Sequence, residues 1–333
     1  MSCDVRRYLL RDGERLPLVI ESSVISADLA GYVLQNRLEL ETLLLEHGAL
    51  LFRGFPLATG AELDNLIAGI SERRLPYLYR STPRTAVGRN IFTATEYPAT
   101  EEIPLHNENA YQREWPLHVL FCCLQAASSG GETPLADMRK VTASIGESLT
   151  EKFSFRKVKY VRTYRPNFDL SWQTVFQTNE PLDVDRYCDQ HDIKHEWLDP
   201  DTLQTSQVCH GVARHPVTQE QFFFNQAHLF HISSVGATHA RTLIDLFGHD
   251  RVPRQAFYGD DSTISDQELA QVRNGFQQHA VAFPWRRGDV LFLDNMQVAH
   301  GRRPYKGPRT LLAALLNAVS NPPQAARTQD RGS

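Results

Sequence analysis

Leu117-His118-Val119-Leu120-Phe121-Cys122-Cys123-Leu124-Gln125-Ala126 is apolar apart from His118 and Gln125. A run of this length, rich in aliphatic and aromatic residues, reads as a strand buried on both faces. Cys122 and Cys123 then fall on opposite faces, where a free cysteine behaves as a small hydrophobe. Working outward, the same signal recurs in VKYVRTY (158–164), QFFFN (221–225), DVLFLDN (289–295) and TLLAALLNA (310–318). Upstream the pattern is helical. Residues 26–47 carry Leu29, Val33, Leu34, Leu38, Leu40 and Leu44 and stop at Gly48, after which Ala49 to Phe52 reads as a short strand. Thr59 is placed to cap a helix over 60–70, with Glu62 completing a capping box. Two further helices are expected to interrupt the strands, over 140–153 and 235–247.

Helices first, then strands spread over the rest with long insertions, predict an α+β chain with a mainly β core, built on one sandwich or barrel. The expected organisation is a single domain over 1–333, with an N-terminal helical cap over about 1–75 and a flexible tail over about 320–333. Trp115, Phe222, Phe223 and Phe224 are assigned to the core.

Composition removes several classes of function. Lys and Arg number 35 against 39 Asp and Glu, a net charge of −4, so the basic excess of a nucleic-acid binder is missing. No apolar run reaches the roughly 20 residues needed to span a bilayer, and the charged N-terminus does not read as a signal peptide. A cytoplasmic location is expected, without membrane partners. The 5 cysteines form neither a disulfide framework nor a CxxC zinc site. The Gly-rich phosphate loops of nucleotide enzymes are absent.

The chemistry lies in Pro104-Leu105-His106-Asn107-Glu108-Asn109, which holds the only His-x-Asp/Glu triplet of the chain. Residues two apart in an extended strand share a face, so His106 and Glu108 can reach one ion. Downstream come GGETPLAD (130–137), a Gly-Asp turn into DVLFLDN, then Ala299-His300-Gly301-Arg302 just beyond that strand, and Gly307-Pro308-Arg309. Two imidazoles and one carboxylate leave three positions of an ion open, the arrangement of non-haem Fe(II) oxygenases. A dicarboxylate co-substrate needs a cation at its far end, a role that fits the guanidinium of Arg309, with the Thr133 hydroxyl as a second donor.

On these residues the chain resembles the taurine dioxygenase/TfdA-like superfamily of Fe(II)- and 2-oxoglutarate-dependent oxygenases. It is most similar there to the SyrP-like amino-acid hydroxylases of nonribosomal-peptide pathways, with clavaminate synthase-like enzymes as cousins. The resemblance spans about 51–318, and its anchors HNE, GGETPLAD, AHGR and GPR occur in the family's order. It implies a double-stranded β-helix, or jelly roll, with flanking helices, and Fe(II), 2-oxoglutarate and O2 as cofactor and co-substrates. It implies His106, Glu108 and His300 as metal ligands and catalytic residues. Thr133 and Arg309 would hold the distal carboxylate of 2-oxoglutarate. The implied substrate is an amino acid, tethered to a peptidyl carrier domain or free, hydroxylated at an unactivated C–H. Other small free acids or betaines are the alternative, and a non-catalytic 2-oxoglutarate- or metal-binding barrel a third reading. Glu108 replaces the aspartate of taurine dioxygenase, and Ala313 stands where that enzyme has a second arginine, so sulfonates lose support. The halogenases of this class lack the carboxylate that Glu108 supplies.

Further residues are weighed for the pocket. Asn107 and Arg303 are candidate substrate contacts, with Gln173 as another polar candidate. Arg302 and Arg303 either touch substrate or are solvated. Arg162, Arg165 and Arg214 are cationic candidates to hold an acidic group. His228 and His231 read as pocket-lining or structural rather than as a second metal site, and His210 and His215 as structural.

Overall fold

The stretch around Phe121 forms the long strand Glu114–Gln125. The computed structural model describes residues 4–320 apart from residues 25, 26, 72 and 89. Val290–Asp294 lies antiparallel to the long strand on one side, with Leu291 opposite Phe121, and Thr310–Ser320 on the other, with Ala313 opposite Phe121. Five more strands extend these three to an eight-stranded sheet. Its order is Val5–Leu9, Leu18–Ser22, Ala49–Arg53, Val290–Asp294, Glu114–Gln125, Thr310–Ser320, Ile91–Thr93 and Ala86–Gly88. The expected N-terminal cap therefore supplies three strands as well as helices.

Each face of this sheet is covered differently. Leu120 and Cys122 pack with Phe292, Leu312 and Ala314 against Leu29, Val33, Leu40, Leu44, Leu63 and Ile67 of the N-terminal helices. Val119, Phe121 and Cys123 lie on the other face with Leu291, Leu293 and Leu315, and there they meet Leu135, Phe283 and Val298. Those three belong to a second, four-stranded antiparallel sheet, in the order Ala280–Phe283, Thr133–Asp137, Val298–Arg302 and Ile103–His106. The two cysteines thus part between the two cores, as strand alternation requires. Burial pushes both thiols up to about 12. A third sheet, ordered Lys194–Asp199, Thr202–Cys209, Val158–Tyr164 and Arg254–Tyr258, carries a separate aromatic core that includes Trp115, Phe222, Phe223 and Phe224. The architecture is mixed, with large sheets and helices on their flanks.

The turn before Val290–Asp294 is closed by a buried ion pair. The Arg53 guanidinium donates to both Asp289 oxygens, at 3.0 and 2.7 Å, and to the Pro284 carbonyl at 3.0 Å. The Arg286 N–H donates to the same carboxylate at 2.8 Å. Every oxygen is used, which is what a charge removed from water needs.

Several helices depart from the sequence reading for local reasons. The helix expected over 26–47 is two, Leu29–Gln35 and Arg37–His47, joined at Asn36, whose side-chain amide donates to the Tyr32 carbonyl. Ser26 lies outside the described residues. Gly48 ends the second helix at φ 74°, and the box of Thr59 with Glu62 caps Gly60–Ile70 as expected. The helix expected over 140–153 breaks at Gly146, where φ is 86°, into Met138–Ile145 and Glu147–Arg156. The helix expected from 235 begins at Ala237, after a 3₁₀ turn over Ile232–Val235. Asp266–Gln278, opened by a second capping box of Ser265 and Glu268, was not expected. The expected tail lies outside the described residues from 321 onward. Among the described residues no helix is long and apolar enough to cross a membrane.

Candidate metal centre

His300 sits in Val298–Arg302, with His106 directly across on one neighbouring strand and Leu135 on the other. Directly opposed residues project to the same side of a sheet. Here that side faces the large sheet, and the Phe121 ring meets the His300 imidazole edge-on at 5.1 Å. A register shift between His300 and Arg302 and the close approach of the strands require Gly301, where a Cβ would lie 2.5 Å from the Ile103 carbonyl oxygen.

Beyond His106 the chain turns, with Asn109 in the left-handed region at φ 56°. Asn295 fixes this turn. Its side chain accepts from the Glu108 N–H at 2.7 Å and donates to the Glu108 and Pro116 carbonyls at 2.9 and 2.8 Å. The Asn107 amide donates to the Asn295 carbonyl at 2.6 Å, and Gln226 donates to the Asn107 carbonyl at 2.7 Å. His228 Nε2–H donates to the Leu105 carbonyl at 3.0 Å. A ligand-bearing loop is thereby pinned from three sides.

The potential ligand atoms of His106, Glu108 and His300 all lie within 4.8 Å of one another, and among the described residues this is the one such group. The two imidazole centroids are 4.7 Å apart, and His300 Nε2 is 3.6 Å from Glu108 Oε2. His106 Nδ1–H donates to the Pro104 carbonyl at 2.8 Å, which leaves its Nε2 lone pair free. Burial, aided by the neighbouring His300, lowers the His106 imidazole to about 4, so it is neutral and ready to ligate. Burial alone would raise the Glu108 carboxyl. The Arg84 guanidinium, donating to Oε2 at 2.7 Å, together with His300, overrides it and holds the group well below the usual carboxylate range. Glu108 is therefore an anion with Oε1 uncommitted. His300 Nδ1 is buried with no hydrogen-bond partner. Two imidazoles and one carboxylate converging in a buried site fit a divalent first-row ion such as Fe(II).

Thr133 is buried on the same sheet, and its hydroxyl oxygen accepts from Trp285 Nε1–H at 3.0 Å. Arg309 crosses Gly131, donating through Nε to the Gly131 carbonyl at 3.1 Å. Gly131 has φ 74°, and a Cβ there would sit 3.0 Å from the Arg309 side chain, so glycine is needed twice over. Burial and the nearby Arg302 lower the Arg309 guanidinium to about 10.

Other candidates separate clearly. Arg302 is buried and spends its Nη groups on the Tyr97, Pro98 and Glu101 carbonyls, while Arg303 is exposed. Arg165 is half-buried and bonds the Arg251 carbonyl, Arg214 is exposed and bonds the Gln219 carbonyl, and Arg162 is fully buried. His215 is structural: Nε2–H donates to Asp294 at 2.8 Å, and Nδ1 accepts the N–H groups of Val217 and Thr218. Two clefts open elsewhere. One of about 590 Å³ lies by His118, His215 and Phe292, the other of about 300 Å³ by Tyr187 and His191. Convergent donors, not size, mark the site.

Sequence reading missed Arg84, Trp285 and Asn295. Asn295 carried a signal, standing in the LDN that ends an apolar run. Arg84 carried none, since it lies in a loop without periodicity.

A family model described as "Taurine catabolism dioxygenase TauD, TfdA family" matches residues 14–315, and the chain belongs to that family. It is a 2-oxoglutarate-dependent dioxygenase, of a class that works with Fe(II), 2-oxoglutarate and O2. Dapdiamide synthesis protein DdaC of Enterobacter agglomerans is 39% identical over 280 residues, 84% of this chain and 85% of that protein. A clavaminate synthase-like protein of Arabidopsis thaliana is 29% identical over 286 residues, 83% of each. Among solved structures, PvcB of Pseudomonas aeruginosa shares the fold with a TM-score of 0.57 at 18% identity, covering 96% of this chain and 94% of that one. PvcB is described as an Fe, alpha-ketoglutarate dependent oxygenase from an isonitrile synthetic pathway.

Proposed function

We propose that this protein hydroxylates an unactivated C–H bond of an amino acid, tethered to a carrier protein or free, in a biosynthetic pathway. The single observation that carries the chemistry is the convergence of His106, Glu108 and His300 between the two sheets. The biosynthetic setting is supported by the likeness to a dapdiamide synthesis protein. We read the two facing sheets as the walls of a double-stranded β-helix and the described residues as one catalytic domain.

In this reading His106, Glu108 and His300 would hold Fe(II). Bound Fe(II) with 2-oxoglutarate supplies the activation of O2 needed to oxidise an inert carbon. The chain's own groups do the positioning. Thr133 accepts from Trp285, so its O–H proton is directed elsewhere and can bond a carboxylate. Arg309 commits only Nε to Gly131, which leaves both terminal nitrogens to fork onto that carboxylate. Phe121 against His300 keeps one wall dry and fixes the ring. Protein positioning then selects the carbon attacked.

The test is succinate formation from 2-oxoglutarate with Fe(II) and O2, comparing aminoacyl-loaded carrier proteins with the same free amino acids. Turnover above background with either form supports the reading. Equal, substrate-independent background across a broad amino-acid panel contradicts it.

A further inference from the structure

Beside the triad lies a group of three arginines, of which only Arg84 touches a ligand residue. Arg84 touches Glu108 through one terminal nitrogen, yet its Nε and other terminal nitrogen are buried without any hydrogen-bond partner. Arg162 is 1% exposed. It donates once, to the Arg80 carbonyl at 3.1 Å, and its Nε and Nη1 are likewise unpartnered. Arg80 donates to the Arg84 carbonyl at 3.2 Å and leaves its Nε buried and unpartnered. Five guanidinium nitrogens therefore carry unused N–H donors in one place.

Backbone carbonyls link the three, Arg162 to Arg80 and Arg80 to Arg84, and aromatic rings flank each. Arg80 and Arg84 lie over the Tyr77 ring at 5.6 and 4.4 Å, and Arg162 lies over Tyr79 at 5.3 Å. Arg162 acts electrostatically on the Tyr111 phenol, and that phenol acts on Arg84. That phenol donates to the Tyr79 carbonyl at 2.9 Å, and Tyr79 holds a left-handed backbone at φ 49°, a strained state for a bulky residue. The loop is thus fixed in the shape that presents Arg80 and Arg84.

The charges do not balance. Three cations face one directly bonded carboxylate, Glu108, because the nearby Asp169 is forked by Arg254. A divalent ion on Glu108 would widen the excess. Buried guanidinium groups with idle donors are costly unless a ligand completes them. Planar forks of N–H groups match a carboxylate. Of the three arginines offered by sequence for an acidic group, only Arg162 belongs to this group.

We propose that Arg80, Arg84 and Arg162 form the substrate-recognition site and select an amino acid bearing a free side-chain carboxylate. This rests on the oxygenase reading above and gives its substrate a charge. Aromatic walls exclude water from the forked contact, and half-buried Arg80 provides the side that meets solvent.

The experiment uses the full chain, anaerobic, with Fe(II) and saturating 2-oxoglutarate. L-aspartate against L-asparagine, and L-glutamate against L-glutamine, are titrated by calorimetry and by the visible charge-transfer band. Each pair differs by one carboxylate exchanged for an amide of equal shape. We expect an acid to bind about 10- to 100-fold tighter than its amide, the scale of a charged hydrogen bond. In Arg162→Gln, and in Arg80→Gln should the first not fold, the preference shrinks toward parity. Affinity for 2-oxoglutarate without amino acid stays within about twofold, which separates this site from the co-substrate's. Equal or tighter binding of the amide, no binding by either acid, or loss of 2-oxoglutarate affinity with selectivity intact overturns the proposal. A wild-type protein that forms no charge-transfer band at all fails at the oxygenase reading instead.

Discussion

Two buried arginine–carboxylate pairs in this protein are built to opposite specifications. Arg53 and Asp289 share a two-pronged contact, and a carbonyl and a backbone N–H use what remains. Arg84 and Glu108 share a single contact, with two guanidinium nitrogens and one carboxylate oxygen left over. Two buried histidines repeat the contrast: His215 has both nitrogens bonded, His300 has Nδ1 without a partner. The closed sets hold the sheet together. The open sets converge between the sheets, and unspent bonding capacity there is what a metal and a substrate would take up.

The largest effect should separate the pairs directly. Arg53→Ala strands Asp289 away from water and should cost about 3–5 kcal/mol in denaturant melts, with no relief from added metal. Arg84→Met strands Glu108 too, but a divalent ion can replace the lost cation. The rise in Tm on adding Zn(II) should therefore be larger in Arg84→Met than in wild type. An equal rise in both would remove the distinction.

A second contrast is visible with pH. Burial pushes the His210 imidazole down to about 3. Its folded value lies below its unfolded one, so its contribution is intact above about pH 6.5 and drains away as pH falls toward 3. Between pH 7.5 and 5, wild type should lose about 2 kcal/mol more stability than His210→Phe. Parallel pH profiles for wild type and His210→Phe would contradict the placement of His210. The smallest effect concerns the helix caps. Thr59→Ala and Ser265→Ala should each cost about 1 kcal/mol without changing 2-oxoglutarate affinity, measurable in the same melts.

Much of this was legible before any coordinates. Burial on both faces over 119–123 follows from the apolar composition of that run, and Cys122 and Cys123 part between cores because strand geometry allows nothing else. His106, Glu108 and His300 were visible as residue types in a family order, and three-dimensional pairing of their strands brings them together. Ser265-x-x-Glu268 carried the same signal as Thr59-x-x-Glu62, yet it stood amid strand-rich sequence and its helix went unread. Gly146 lies within the helix expected over 140–153, and its positive φ breaks the helix there. Arg84, Trp285 and Arg162 act through contacts across 24 to 152 positions of chain, which no local pattern records.

The central claim is tested most directly by anaerobic titration of Fe(II) into wild-type protein and His300→Ala, with 2-oxoglutarate present and folding checked by circular dichroism. One ion per chain and a visible charge-transfer band are expected for wild type, and both should vanish in the folded variant. A variant that binds Fe(II) as tightly and shows the same band would mean that the ion, if any, is held elsewhere.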